Sequence, residues 1–217
     1  MFKNLFTAKA RRTARKNGQT VLDLLRSTMR MSKTATRTCV HLIENGADLT
    51  LKENGGRTAL MLAARDGRTH IVETLLRHGA KTEDKDSKGR TALMHAIGNS
   101  STENINTILA LLKHGADAST QTDKGVTALM RSIWNRNERT AQALLDHGAD
   151  TTPKAPENHA FDQEKTAEDI ARDLNLTALA QSIRKQYVET VLRAAAEHGT
   201  TRTRKIHRVI PPATRQP

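Results

Sequence analysis

The chain has 217 residues, 36% of them apolar and only 2% aromatic, so its core must be filled by Ala, Leu, Ile and Met. That suits short, closely packed helices better than a fold built on large buried rings. The net charge of +12 sits at the ends: residues 1–20 hold six Lys/Arg and no acid, residues 184–217 hold eight and two Glu, and the 21 basic and 21 acidic residues between them cancel. Nucleic acid or anionic lipid would therefore have to be met by the termini.

In chain order, residues 1–15 read as a basic arm, with Phe2, Leu5 and Phe6 supplying one short apolar edge. They lack the apolar stretch of a secretory signal, and no later run approaches the roughly 20 apolar residues of a membrane span. A repeat then begins. Gly-x-Thr-Ala-Leu-Met stands at 56–61, 89–94 and 125–130, and a degenerate copy, Gly-Gln-Thr-Val-Leu, opens at Gly18. Asn-Gly-Ala-Asp at 45–48, His-Gly-Ala-Lys at 78–81 and His-Gly-Ala-Asp at 114–117 and 147–150 close the units. Their glycines, Gly46, Gly79, Gly115 and Gly148, are spaced by 33, 36 and 33. Such a period is the signature of a stacked array.

Each unit reads as two short helices. In the unit at Gly56, Thr58 is placed to cap a helix whose apolar face is Ala59, Leu60, Ala63 and Ala64. Gly67 breaks the chain. Ile71, Val72, Leu75 and Leu76 form a second apolar stripe. Arg77 and His78 fall in its last turn, favourable to the helix dipole, and Gly79 ends it. Neither helix can bury its face alone. Extra residues fall around 31–33 and 99–101, between the two helices of their units, and 153–164 lengthens the loop before the last unit. That unit opens at 165–171 with Glu168 and Asp169 in its first turn. Its second helix carries Leu176, Leu179, Ile183, Tyr187, Val191 and Ala195 on one stripe, predicting a helix to about His198 with Gly199 as its stop. Residues 199–217, with Pro211 and Pro212 among scattered arginines, read as a basic disordered tail.

These motifs resemble the ankyrin repeat. Residues 86–96, Asp-Ser-Lys-Gly-Arg-Thr-Ala-Leu-Met-His-Ala, follow its D-x-x-G-x-T-P-L-H-x-A pattern closely, and the resemblance runs over about 16–186. It implies an all-α solenoid of helix-turn-helix units with hairpin-like connecting loops: a basic arm at 1–15, an array at 16–198 (units near 16–53, 54–86, 87–122 and 123–163, and a cap at 164–198), and the tail at 199–217. The family's Pro and His after the Thr are replaced by Ala59 and Met61, Ala92 and Met94, and Ala128 and Met130. That removes a preset first helical residue and a polar link to the loop, and predicts a somewhat looser turn.

No catalytic set emerges. His78, His114 and His147 recur at one position, which points to a role in the fold; His70, His95 and His159 are isolated, and no His/Cys/Asp set has zinc spacing. Cys39, the only cysteine, lies on an apolar helical stripe and reads as a small buried hydrophobe in a protein of a reducing, intracellular compartment. Glu83 and Asp84 look like solvated loop carboxylates, and no glycine pair has the context of a phosphate loop. Neither an enzyme nor a cofactor is expected.

In the family, partners lie along a concave face of loop tips and exposed first-helix positions. Carried over, the tips are Asn54, Gly55 and Arg57; Ser87, Lys88 and Arg90; and Asp123, Lys124 and Val126. The first-helix column is Arg65, Gly98 and Trp134. Trp134, the only tryptophan, has the character of a binding anchor or of a packing residue against the next unit. Arg57, Arg65 and Arg90 would form a basic column that favours an acidic protein. The expectation is a monomer that binds another protein on this face; the alternative is binding of nucleic acid or anionic membrane by the basic ends.

Overall fold

The computed structural model describes residues 2–26, 33–98, 104–154 and 165–197. Among them are ten helices and no strand: α1 (Phe2–Arg26), α2 (Lys33–Glu44), α3 (Ala59–Arg65), α4 (Thr69–Arg77), α5 (Ala92–Ile97), α6 (Ile105–Lys113), α7 (Ala128–Trp134), α8 (Glu138–Asp146), α9 (Ala167–Asp173) and α10 (Thr177–Glu197). Odd and even helices pair within units. The first helices stack α1–α3–α5–α7–α9, and the second helices stack α2–α4–α6–α8–α10. The all-α solenoid expected from the repeat is what the chain builds.

The core lies between these two rows. Leu60, Met61 and Leu62 of α3, Leu75 of α4, Leu93 of α5, Leu111 of α6, Leu129 of α7 and Leu144 of α8 are all essentially sealed from solvent. The substituted methionines belong to it: Met61, Met94 and Met130 are buried. The first turns close as the cap rule predicts at Thr58, whose hydroxyl accepts from Met61 N (3.4 Å), and at Thr127, which accepts from Met130 N (3.1 Å). Thr91 takes the same backbone geometry without that bond. Thr166 goes further and forms a capping box with Asp169.

Helix ends repeat one device. The ring Nδ1–H of His78 donates to Thr74 O (2.8 Å), that of His114 to Ala110 O (2.9 Å) and that of His147 to Ala143 O (2.8 Å). Asn45, at the same place in the first unit, donates its amide to His41 O (2.7 Å). Each therefore adds a second donor to a last-turn carbonyl that already accepts the residue's own backbone N–H, which is the physical content of the recurring histidine. The glycine that follows takes a left-handed backbone in all four units, as at Gly79 (φ 83°).

The first unit differs from its expectation. Residues 2–26 form one continuous helix, so the basic arm runs unbroken from residue 2 through the motif copy at Gly18, and Thr20 Oγ1 donates to Lys16 O within the helix. Gly18–Thr20 resembled a unit opening because it kept the letters of the motif without a loop before it. Val21, Leu22 and Leu25 bury the inner face of α1 against the array, and Asp48 N donates to Ala14 O (2.8 Å). At the other end, α10 is described as far as Glu197. Leu179 and Ile183 are buried, Tyr187 and Val191 half-buried, and Leu192 is 54% exposed, so the apolar stripe outruns the units it packs on. Of the three lengthened segments, 27–32, 99–103 and 155–164 lie outside the described residues, as do Gly199 and the tail.

An added Cβ at Gly79 meets nothing within 4 Å, so a side chain there is opposed by backbone conformation alone. Gly79→Ala should lower stability by about 1 kcal/mol, seen as a lower urea midpoint. An unchanged midpoint would show that the left-handed turn is not needed.

Candidate functional site

The loops between units are short hairpins whose backbones lock to one another. Glu53 N donates to Arg57 O (2.9 Å), Asp86 N to Arg90 O (3.0 Å) and Thr122 N to Val126 O (3.0 Å), closing each tip. Across units, Ser87 N donates to Gly55 O (3.0 Å) and Asp123 N to Lys88 O (3.3 Å). The tips therefore form a ladder with a fixed backbone, while the side chains of Ser87, Lys88, Asp123 and Lys124 stand exposed. Glu83, read as merely solvated, also ties units together: its carboxylate accepts from Asp117 N (2.9 Å) and Thr120 Oγ1 (3.1 Å).

The arginines behave differently from the expected basic column. Arg57 is half-buried and paired with Glu53, which also meets Arg26 at 3.2 Å. Arg65 Nε donates to Asp66 Oδ1 (2.8 Å). Arg90 binds Asp86 through Nε (2.8 Å) and Nη2 (2.7 Å). Each arginine of the column is thus answered by an acid of its own neighbourhood, and the column's guanidiniums are largely engaged within the fold. Trp134 is half-buried and packs against the core cluster, as its packing alternative anticipates. Val126 is half-buried, and Gly98 is exposed at the end of α5.

Asp86 is the most elaborate polar centre on this face. Its buried carboxylate accepts from the backbone N–H of Lys88 and of Arg90 (2.9 Å each), from the Arg90 guanidinium, and from His95 Nε2 (3.0 Å). Burial by itself would raise its pKa, but the hydrogen bonds of Arg90, Lys88 and His95 hold it far below the ordinary carboxylate range. His95 is pushed down to about 4, first by burial and then by the charge of Arg90, against the pull of Asp86. It is neutral at pH 7 and donates a hydrogen bond to Asp86. The sequence had left His95 isolated. It restores, one residue later, the polar link to the loop that Met94 removes. The only signal for it was an acid nine residues upstream at the head of the same loop.

Chemistry beyond hydrogen bonding is not assembled among the described residues. No group of His, Cys, Asp and Glu there could hold a metal ion. Cys39 is buried on α2, as expected, and burial raises its thiol to about 11, which keeps it protonated and unreactive.

The model of the ankyrin repeats (3 copies) family matches residues 28–122. No curated protein matches the chain. The unit formed by α7 and α8 lies beyond that match, yet it repeats the same caps, turns and closing His-Gly.

The Asp86–His95 centre has a pH signature. In the unfolded chain the two groups titrate near 3.8 and 6.5, and both values are lower in the fold. The unfolded state then binds more protons, so stability falls as pH falls. His95 acts from about 6.5 down to about 4, and Asp86 below about 4. Urea midpoints measured across that range should decline in the wild type. His95→Gln, which keeps a donor to Asp86 without a proton to gain, should flatten the upper part; an identical decline in that variant would refute the assignment.

Proposed function

The chain is an ankyrin-repeat protein, and on that premise we propose that it is a non-enzymatic binding module that holds a partner protein on the face of its loop tips and first helices. Ankyrin repeats generally mediate protein–protein interaction; the finer roles of scaffold, adaptor or inhibitor all use the same surface. One observation carries the reading: Ser87, Lys88, Asp123 and Lys124 project from tips whose backbones are hydrogen-bonded across units. A backbone already held by these bonds needs no further ordering when a partner arrives, so only the side chains must settle. We further propose that the protein acts inside a cell and as a monomer, in keeping with its single buried thiol.

A second reading keeps one observation in its favour. The basic residues from Lys3 to Lys16 lie on α1, a helix continuous with the array, which would give nucleic acid or an anionic membrane an ordered cationic rod. The two are separated by full-length variants. Lys88→Glu with Lys124→Glu should abolish capture of a specific protein from cell extract, whereas replacing the six basic residues of 1–16 by Gln should leave it intact. Capture that follows the α1 replacements, and falls steeply with salt, would sink the protein-binding reading and favour the second.

A further inference from the structure

Arg131 was not among the residues marked by the motif, and it is the exception on this face. It sits on α7 in the register that His95 occupies on α5, half-buried. Its Nε is sealed from solvent and has no hydrogen-bond partner. Among the described residues no carboxylate stands within ion-pair distance of it. Asp86 offers no relief: both its oxygens are taken by Lys88, Arg90 and His95, and the Arg90 guanidinium repels Arg131.

The reason lies in the repeat. The loop-head acid that answers an arginine in the two preceding units, Glu53 for Arg57 and Asp86 for Arg90, is Thr122 in this one, and Val126 replaces the arginine. The unit has lost its internal pair and carries a cation where the two preceding units have Leu62 and His95. Space has been made for that cation. A Cβ at Gly98 would lie 2.8 Å from Arg131 Nη2 and 3.3 Å from its Cζ, so the guanidinium occupies the place a side chain at 98 would take. Trp134 lies three residues along the same helix, on the same face.

We propose that Arg131 is the anchor of an anion recess, lined by Gly98 and Trp134, that takes a side-chain carboxylate from an acidic segment of the partner protein. The inference rests on the binding-module reading and names the chemistry of its partner. The planar guanidinium matches a carboxylate on a short peptide segment in charge and in its forked donor geometry, and Trp134, three residues along the helix, is close enough to report on its binding. The carboxylate supplies the counter-charge that the fold leaves out.

The test uses the full-length protein, a glutamate homopeptide as probe, and the emission of Trp134, the only tryptophan, as a local readout. The peptide should change that emission. Arg131→Met should weaken the response about tenfold or more, while its urea midpoint stays equal to or above that of the wild type, because a half-buried unpaired charge is removed. Gly98→Ala, at a helical backbone (φ −71°) that tolerates a side chain, should displace the guanidinium and weaken binding without loss of stability. Undiminished binding by Arg131→Met, a lowered urea midpoint in that variant, or equal competition by inorganic phosphate would each overturn the assignment. If Arg131→Met binds normally but Lys88→Glu with Lys124→Glu does not, only the role of Arg131 falls. If the response follows only the α1 replacements, the binding-face reading falls with it.

Discussion

A helix of seven residues followed by one of nine, as in α3 and α4, is too short to persist by itself in water. Each such pair covers one flank with its own partner and leaves two more to be covered by the units on either side. The free energy that holds this protein together therefore resides mostly in the interfaces between units, where Leu60, Leu93 and Leu129 meet in one row and Leu75, Leu111 and Leu144 in the other. The first and last described helices are the longest, α1 of 25 residues and α10 of 21, and they join the same core through Val21, Leu22 and Leu25 and through Leu179 and Ile183.

Polar groups make the stack specific, where apolar contact alone would let units slip. Registration comes from directional bonds that only one alignment satisfies: Ser87 N to Gly55 O, Asp123 N to Lys88 O, Glu83 to Asp117 and Thr120, and Asn135 Nδ2 to Ile97 O (2.9 Å). Most of these bonds lie at the loop tips and at the ends of first helices, the face proposed above to meet a partner. On that proposal the binding surface and the register of the array are set by the same interactions, and a substitution there touches both. Arg90 shows the consequence: by its place on the tip it belongs to the surface, and by its bonds to Asp86 it belongs to the fold.

The sequence revealed whatever repeats within a single unit. The paired helices, the capping threonines, the turn glycines and the recurrent closing histidine are local patterns with local causes, and they could be found by matching one stretch to the next. It was silent where an interaction joins residues that the pattern treats as variable. His95 and Arg131 share one such position, and each is defined by a neighbour elsewhere, Asp86 in one case and the missing side chain of Gly98 in the other. The opening of the array misled for a complementary reason. Gly18 to Thr20 kept the letters of a unit start, but the helix of residues 2–26 had no loop from which to start it.

That contrast gives Arg131 its meaning. Along the array, cations on the inner face are matched by acids of the same loop, Arg57 by Glu53 and Arg90 by Asp86, so those units are electrostatically closed. Closure stops where Thr122 replaces the acid. A half-buried guanidinium without a counter-ion lowers the stability of the free protein, and burial together with Arg90 accordingly eases the loss of its proton. Packing does not call for it, since Leu62 fills the same register two units earlier and is buried. A group that the fold does not need, and that weakens it when alone, is best accounted for by a partner that supplies the missing charge. On the proposed binding face, Arg131 marks the point where an acidic segment of the partner would sit.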